Sequence, residues 1–184
     1  TDGTPLVEHI LDTAGQKGTG KWATIAALDE GIPLTLISEA VFSRCLSARK
    51  EQRVAAAGIL GGETGRFTGT AAEREAFLND LEAALYASKI VSYAQGYSLM
   101  MAAGAENGWD LNLGGIALMW RGGCIIRSAF LGQIKVAFDA EPQLPGLMTA
   151  PGFAGAPREA APTWRRVCAA ALTAGVPAPA FCSA

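Results

Sequence analysis

The stretch from Thr70 to about Gly104 constrains this chain more than any other. It opens with Thr70-Ala-Ala-Glu73, a capping box in which the threonine hydroxyl and the glutamate carboxylate each satisfy a backbone N–H that a first helical turn leaves open. No proline interrupts the residues from Ala71 to Gly104, and Phe77, Leu81, Leu85, Ser88, Tyr93 and Tyr97 recur at helical spacing. Such a stripe is the core-facing side of a helix. At 1.5 Å per residue the helix spans about 50 Å. The alanines and serines between the large side chains allow other helices to approach closely.

Further helices are expected on both sides. Thr4-Pro5 reads as cap and first position of a helix through Leu6, Val7, Ile10, Leu11 and Ala14, with His9 on its flank. Trp22, Ile25 and Ala26 share a face of a helix closed by Gly31 and Pro33. Leu34, Ile37, Val41 and Cys45 mark the next. A more charged helix, with Arg49, Lys50, Glu51 and Arg53 as a solvated face, stops at Gly61-Gly62, and residues 61–69 read as a surface loop. Beyond the long helix, Asp110 and Asn112 are alternative caps for a short helix from Leu113 to Trp120. A further helix is expected from Cys124 to about Asp139. Residues 141–162, with five prolines, read as a loop. Thr163 then caps a last helix closed by Gly175, and the end of the chain reads as extended. No stretch alternates with a period of two, so the fold class is all-α.

The 184 residues suit one domain or a large piece of one; half are hydrophobic and 17% are charged, enough for a core. A net charge of −2 favours neither nucleic acid nor an anionic membrane as partner, and no apolar run is long enough to span a bilayer. Cys45, Cys124, Cys168 and Cys182 are widely spaced and far from the single His9, which argues against a zinc site. The cysteines are expected mostly as small buried hydrophobes in a reduced, cytoplasmic protein. Arg121 and Arg127 are expected as structural ion-pair partners.

The functional expectation rests on Gly15-Gln16-Lys17-Gly18-Thr19-Gly20-Lys21-Trp22. Glycines let the backbone turn and approach a ligand closely, and a helix start after Thr19 presents N–H groups and the positive end of a dipole to an anion. Two ammonium groups and a hydroxyl make the stretch a phosphate or carboxylate holder. It also matches G-x-x-x-x-G-K, the phosphate loop of nucleotide hydrolases. That motif requires Ser or Thr next and a strand before it, whereas Trp22 stands in the next position. Arg44, close to an apolar face, needs an acceptor: either a salt bridge to a residue such as Glu39, or a phosphate, which its planar fork suits.

Taken together, GQKGTGKW at 15–22, EAVFSRCLS at 39–47, ALYASKIVSYAQGY at 84–97 and LNLGGIALMWRGGCIIRSAFL at 111–131 resemble 6-phosphogluconate dehydrogenase, specifically its helical C-terminal domain. WRR at 164–166 and AGVP at 174–177 agree. The resemblance covers nearly the whole chain and implies a helical array with one long central helix. The activity it implies is oxidative decarboxylation of 6-phosphogluconate to ribulose 5-phosphate and CO2, with NADP as hydride acceptor and no metal, in the pentose phosphate pathway. It assigns Lys17, Thr19 and Arg44 to the substrate phosphate, and no catalytic or cofactor-binding residue to this chain. The family's catalytic lysine and glutamate and its NADP-binding Rossmann domain are expected before Thr1, and its C-terminal tail after Ala184. Residues 1–184 would then be a partial helical domain, inactive alone, that forms a homodimer. The opening Thr1-Asp2-Gly3, without methionine, fits an excised segment. The competing reading is a stand-alone, non-catalytic helical module for dimerisation or binding.

Overall fold

Helix α4, Ala71–Asn107, runs 37 residues, about 55 Å, through the middle of the molecule. The computed structural model describes residues 3–62 and 65–184, and no strand occurs among them. The capping box is formed: Glu73 N–H donates to Thr70 Oγ1 at 3.3 Å, and Thr70 N–H donates to Glu73 Oε2 at 2.7 Å. At the other end Gly108 takes a left-handed φ of 66°, and Trp109 N–H returns to the Gly104 carbonyl.

Ahead of α4 lie α1 (Thr19–Asp29), α2 (Thr35–Ser47) and α3 (Lys50–Leu60). Helices α5 (Leu113–Met119), α6 (Leu131–Ala140), α7 (Pro151–Thr173) and α8 (Pro179–Ser183) come after it. Helix α7 packs along α4, α5 against α6, and α8 against α2. The core gathers where α4, α5, α6 and the start of α7 meet. Tyr97 and Phe138 stack with centroids 5.2 Å apart, Tyr93 meets Phe130 edge-on at 5.0 Å, and Phe153 meets Phe130 at 6.0 Å. Burial raises the pKa of both tyrosines, so they stay neutral donors, Tyr93 to the Ile126 carbonyl and Tyr97 to that of Leu113. Ser88, Tyr93 and Tyr97 are buried as the stripe requires, while Leu85 is exposed.

Several expectations are corrected. The helix expected over residues 5–14 is a single 3-10 turn, Leu6–His9; Leu6, Val7, Ile10 and Leu11 are exposed, and an isolated stripe this short does not hold a helix without a packing partner. The helix expected from Cys124 starts only at Leu131, because Gly122 and Gly123, the latter at φ 67°, open a series of turns. The largest correction concerns the loop over 141–162: α7 begins at Pro151 and passes through Pro157 and Pro162, so Thr163 lies inside a helix instead of capping one. Pro151 fits the first helical position, and burial of Phe153, Ala160 and Val167 against the molecule offsets the hydrogen bonds that the internal prolines remove. The extended C-terminal segment contains the short helix α8. None of the four cysteines is fully buried. Arg121 and Arg127, expected as ion-pair partners, are exposed and form no ion pair among the described residues. Of the loop at 61–69, Glu63 and Thr64 lie outside the described residues. Gly65 N–H bonds the Ala174 carbonyl at 2.7 Å.

Candidate functional site

The chain over residues 10–17 has no regular structure, bends at Ile10 and Asp12, and is tied to α2 and α3 before it turns into α1. Each helix holds it with one arginine. From α2, Arg44 Nε donates to the Gly15 carbonyl at 2.6 Å. From α3, Arg53 reaches Asp12 twice, through Nη1 to the carboxylate at 3.0 Å and Nη2 to the carbonyl at 2.7 Å, and also bonds the Ser47 carbonyl at 3.1 Å. The hydrogen bond and charge of Arg53 hold the Asp12 carboxyl below the usual carboxylate range. Gln16 adds a contact from Nε2 to Cys45 Sγ at 3.5 Å.

Gly18 then takes φ 109°, a conformation that side chains rarely adopt, and turns the chain into α1. No side chain caps α1, so the turn between Lys17 and Thr19 leaves its first-turn N–H groups without a side-chain acceptor. Lys17 and Thr19 flank Gly18 and both are exposed. Helix α1 crosses α2 closely at Gly20, where a Cβ would sit 2.8 Å from Val41 Cγ2. That crossing brings the α1 start beside the helix that carries Arg44.

Of the three residues expected at a phosphate site, Lys17 and Thr19 are therefore neighbours through the chain, and tertiary structure brings Arg44 to the same loop. Arg44 Nε takes the Gly15 carbonyl as its acceptor and not Glu39. Its Nε is committed to Gly15, which leaves the two Nη groups as the ones a ligand could take. In the sequence Arg53 reads only as part of a solvated face. Its partner is 41 residues away, so no local spacing reveals it. Lys21 and His9 gain no site role from this geometry.

The surroundings define what these residues can do. An exposed turn with an uncapped helix start, an ammonium, a hydroxyl and a guanidinium can bind an anion. Dinucleotide binding of the Rossmann kind needs a crevice at the ends of parallel strands. The described residues are helical and form no such crevice, so they do not fit NADP as a self-contained site. No cluster of three or more His, Cys, Asp or Glu with metal-site geometry occurs among the described residues, and none of their helices is long and apolar enough to cross a membrane.

Residues 1–184 match the family described as 6-phosphogluconate dehydrogenase, C-terminal domain. The chain is 57% identical over 184 residues to 6-phosphogluconate dehydrogenase, decarboxylating 1 of Saccharomyces cerevisiae, and the match covers all of this chain and 37% of the yeast protein. It is 52% identical over 185 residues to the human 6-phosphogluconate dehydrogenase, decarboxylating, covering all of this chain and 38% of the human one. A solved Plasmodium falciparum 6-phosphogluconate dehydrogenase, described in apo form and in complex with its cofactor NADP+ and its substrate 6-phosphogluconate, superposes with a TM-score of 0.89 at 38% identity. That superposition covers all of this chain and 39% of the Plasmodium chain. The chain thus spans somewhat more than a third of the length of these relatives.

Proposed function

The chain belongs to the family of the 6-phosphogluconate dehydrogenase C-terminal domain, and from that premise we propose that it supplies the phosphate anchor for 6-phosphogluconate in an NADP-dependent, decarboxylating dehydrogenase. The reaction of the whole enzyme is oxidative decarboxylation of 6-phosphogluconate to ribulose 5-phosphate, CO2 and NADPH in the cytoplasmic pentose phosphate pathway. NADP supplies the hydride acceptor when bound, and a Rossmann domain outside these residues is its main holder. Within this chain, Lys17 gives an ammonium and Thr19 a hydroxyl at the start of α1. Arg44 gives the two Nη donors left free by its bond to Gly15.

The observation that carries this reading is the Arg44–Gly15 hydrogen bond at 2.6 Å. It places a guanidinium beside the glycine turn that Lys17 and Thr19 flank. A phosphate dianion held by such groups gains about 1.5–3 kcal/mol per charge-assisted contact. Positioning a substrate by a remote phosphate is one way binding energy is directed to the reacting centre. No group in this turn is placed as a general acid or base, so these residues bind and orient. The chain alone is not expected to turn over substrate.

The test is calorimetric titration of 6-phosphogluconate into the purified chain, with a Lys17→Ala/Arg44→Ala variant alongside. Saturable binding, weakened at least tenfold in the folded variant, is the expected result. A folded chain that binds no 6-phosphogluconate, or a variant that binds equally well, would count against the assignment.

The exposed apolar side chains of α1 to α3 support a homodimer as the assembled form. Leu28, Phe42, Leu46, Ile59 and Leu60 are each more than 60% exposed, a density characteristic of surfaces that another subunit or further polypeptide covers. A dimeric mass by light scattering at micromolar concentration is expected; a monomer at every concentration tested would speak against it.

A further inference from the structure

Two cysteines outside the phosphate site are brought together by the C-terminal segment. Trp164 and Cys168 lie one turn apart on the same face of α7. Trp164 Nε1 donates to the Phe181 carbonyl at 2.9 Å, and the Trp164 and Phe181 rings meet with centroids 6.0 Å apart. Phe181 immediately precedes Cys182, so this double contact holds Cys182 against α7 beside Cys168. Both cysteines line one open cleft of about 380 Å³, with Ala161, Arg165 and Ala184 on its other sides. Cys182 is exposed and Cys168 half-buried. Burial, and then a hydrogen bond with the Cys182 thiol, push the Cys168 thiol above its ordinary pKa.

We propose that Cys168 and Cys182 form a peroxide-oxidisable thiol pair, a site of reversible intramolecular disulfide formation that links α7 to α8. The oxidant is hydrogen peroxide. The exposed Cys182 thiolate attacks a peroxide oxygen; an S–O bond forms, the O–O bond breaks, and the leaving hydroxide takes a proton to become water. The Cys168 thiolate then attacks the Cys182 sulfenic acid; the S–S bond forms, the S–O bond breaks, and a second water leaves. Two thiols lose two electrons and two protons in all, and one hydrogen peroxide is reduced. A dithiol reductant reverses the bond by exchange. Exposure assigns the order: the accessible sulfur meets the peroxide, and the half-buried one resolves it. The pair is independent of the phosphate-site reading. It nevertheless sits one helix from that site, because α8 packs on α2, the helix that carries Arg44.

The test uses the full chain under native conditions with hydrogen peroxide. Titratable thiols are expected to fall from four to two. The intact mass should drop by about 2 Da, the two hydrogens lost per disulfide. Peptide mapping should find residue 168 joined to residue 182 within one molecule, and dithiothreitol should restore all four thiols. In Cys182→Ser, Cys168 should stay reduced at the same peroxide exposure. In Cys168→Ser, Cys182 should stop at sulfenic or sulfinic acid. The proposal is overturned by a cross-link through Cys45 or Cys124, by an intermolecular one, by Cys182 sulfinic acid in the wild-type chain with Cys168 still reduced, or by no loss of thiols at all.

Discussion

Arg44 Nε donates to the carbonyl oxygen of Gly15 at 2.6 Å, across 29 residues of sequence. One side chain thereby fixes the shape of the glycine turn and leaves the outer edge of its own guanidinium for a ligand. The two roles need a planar, forked donor. Arginine has one, and lysine, with a single ammonium on a flexible stem, does not.

Arg44→Lys is therefore expected to weaken 6-phosphogluconate binding by roughly tenfold, even though the charge is kept. Arg44 is exposed, so thermal stability should change little. Calorimetric titration alongside a melting curve separates the two effects. A lysine variant with wild-type affinity would mean that charge alone suffices and that the bond to Gly15 is incidental.

Gly20 sets how closely α1 crosses α2. An added Cβ would lie 2.8 Å from Val41 Cγ2, and the β-branched valine has little rotameric freedom with which to withdraw. Helix propensity favours alanine by about 1 kcal/mol, while overpacking costs about 1–3 kcal/mol. Gly20→Ala should thus lower stability by about 1 kcal/mol net, and adding Val41→Ala should relieve the clash. Denaturant midpoints for the four members of that cycle measure the coupling. Additive single effects would show that the helices can separate freely.

The long helix depends at its start on Thr70. Losing such a cap costs about 1 kcal/mol, so Thr70→Ala should lower the unfolding free energy by that order. The backbone N–H and then the hydroxyl of Thr70 hold the Glu73 carboxyl below its ordinary value of 4.5. A lowered carboxylate pKa contributes stability that is present at neutral pH. It is lost as pH falls from about 4.5 through the lower folded value. The alanine variant keeps the backbone bond but not the hydroxyl, so its stability should fall less steeply over that acid range. Chemical denaturation at several pH values is the check, and parallel curves for the two proteins would contradict it.

The all-helical class, the capping box, and the helix stops at Gly31 and Gly61 were legible in the sequence, as was a cap at Asp110 or Asn112, of which Asn112 takes the role in its 2.7 Å bond from Gly115 N–H. These features arise from groups a few residues apart, whose geometry is fixed by local backbone sterics and hydrogen bonding. The glycine turn at Gly18 and the helix start at Thr19 were legible for the same reason. Tertiary structure decided the rest. It turned the proline-bearing stretch from Pro151 into helix, because packing of Phe153, Ala160 and Val167 outweighs a local preference against proline. It left Leu6–Leu11 with a single 3-10 turn in place of an α-helix, because that stripe stays exposed among the described residues. Arg44 met Gly15, Arg53 met Asp12, and Cys182 came to line one cleft with Cys168 in the same way. Each of these juxtapositions joins residues 14 or more positions apart, so packing of whole helices creates it and no local period records it.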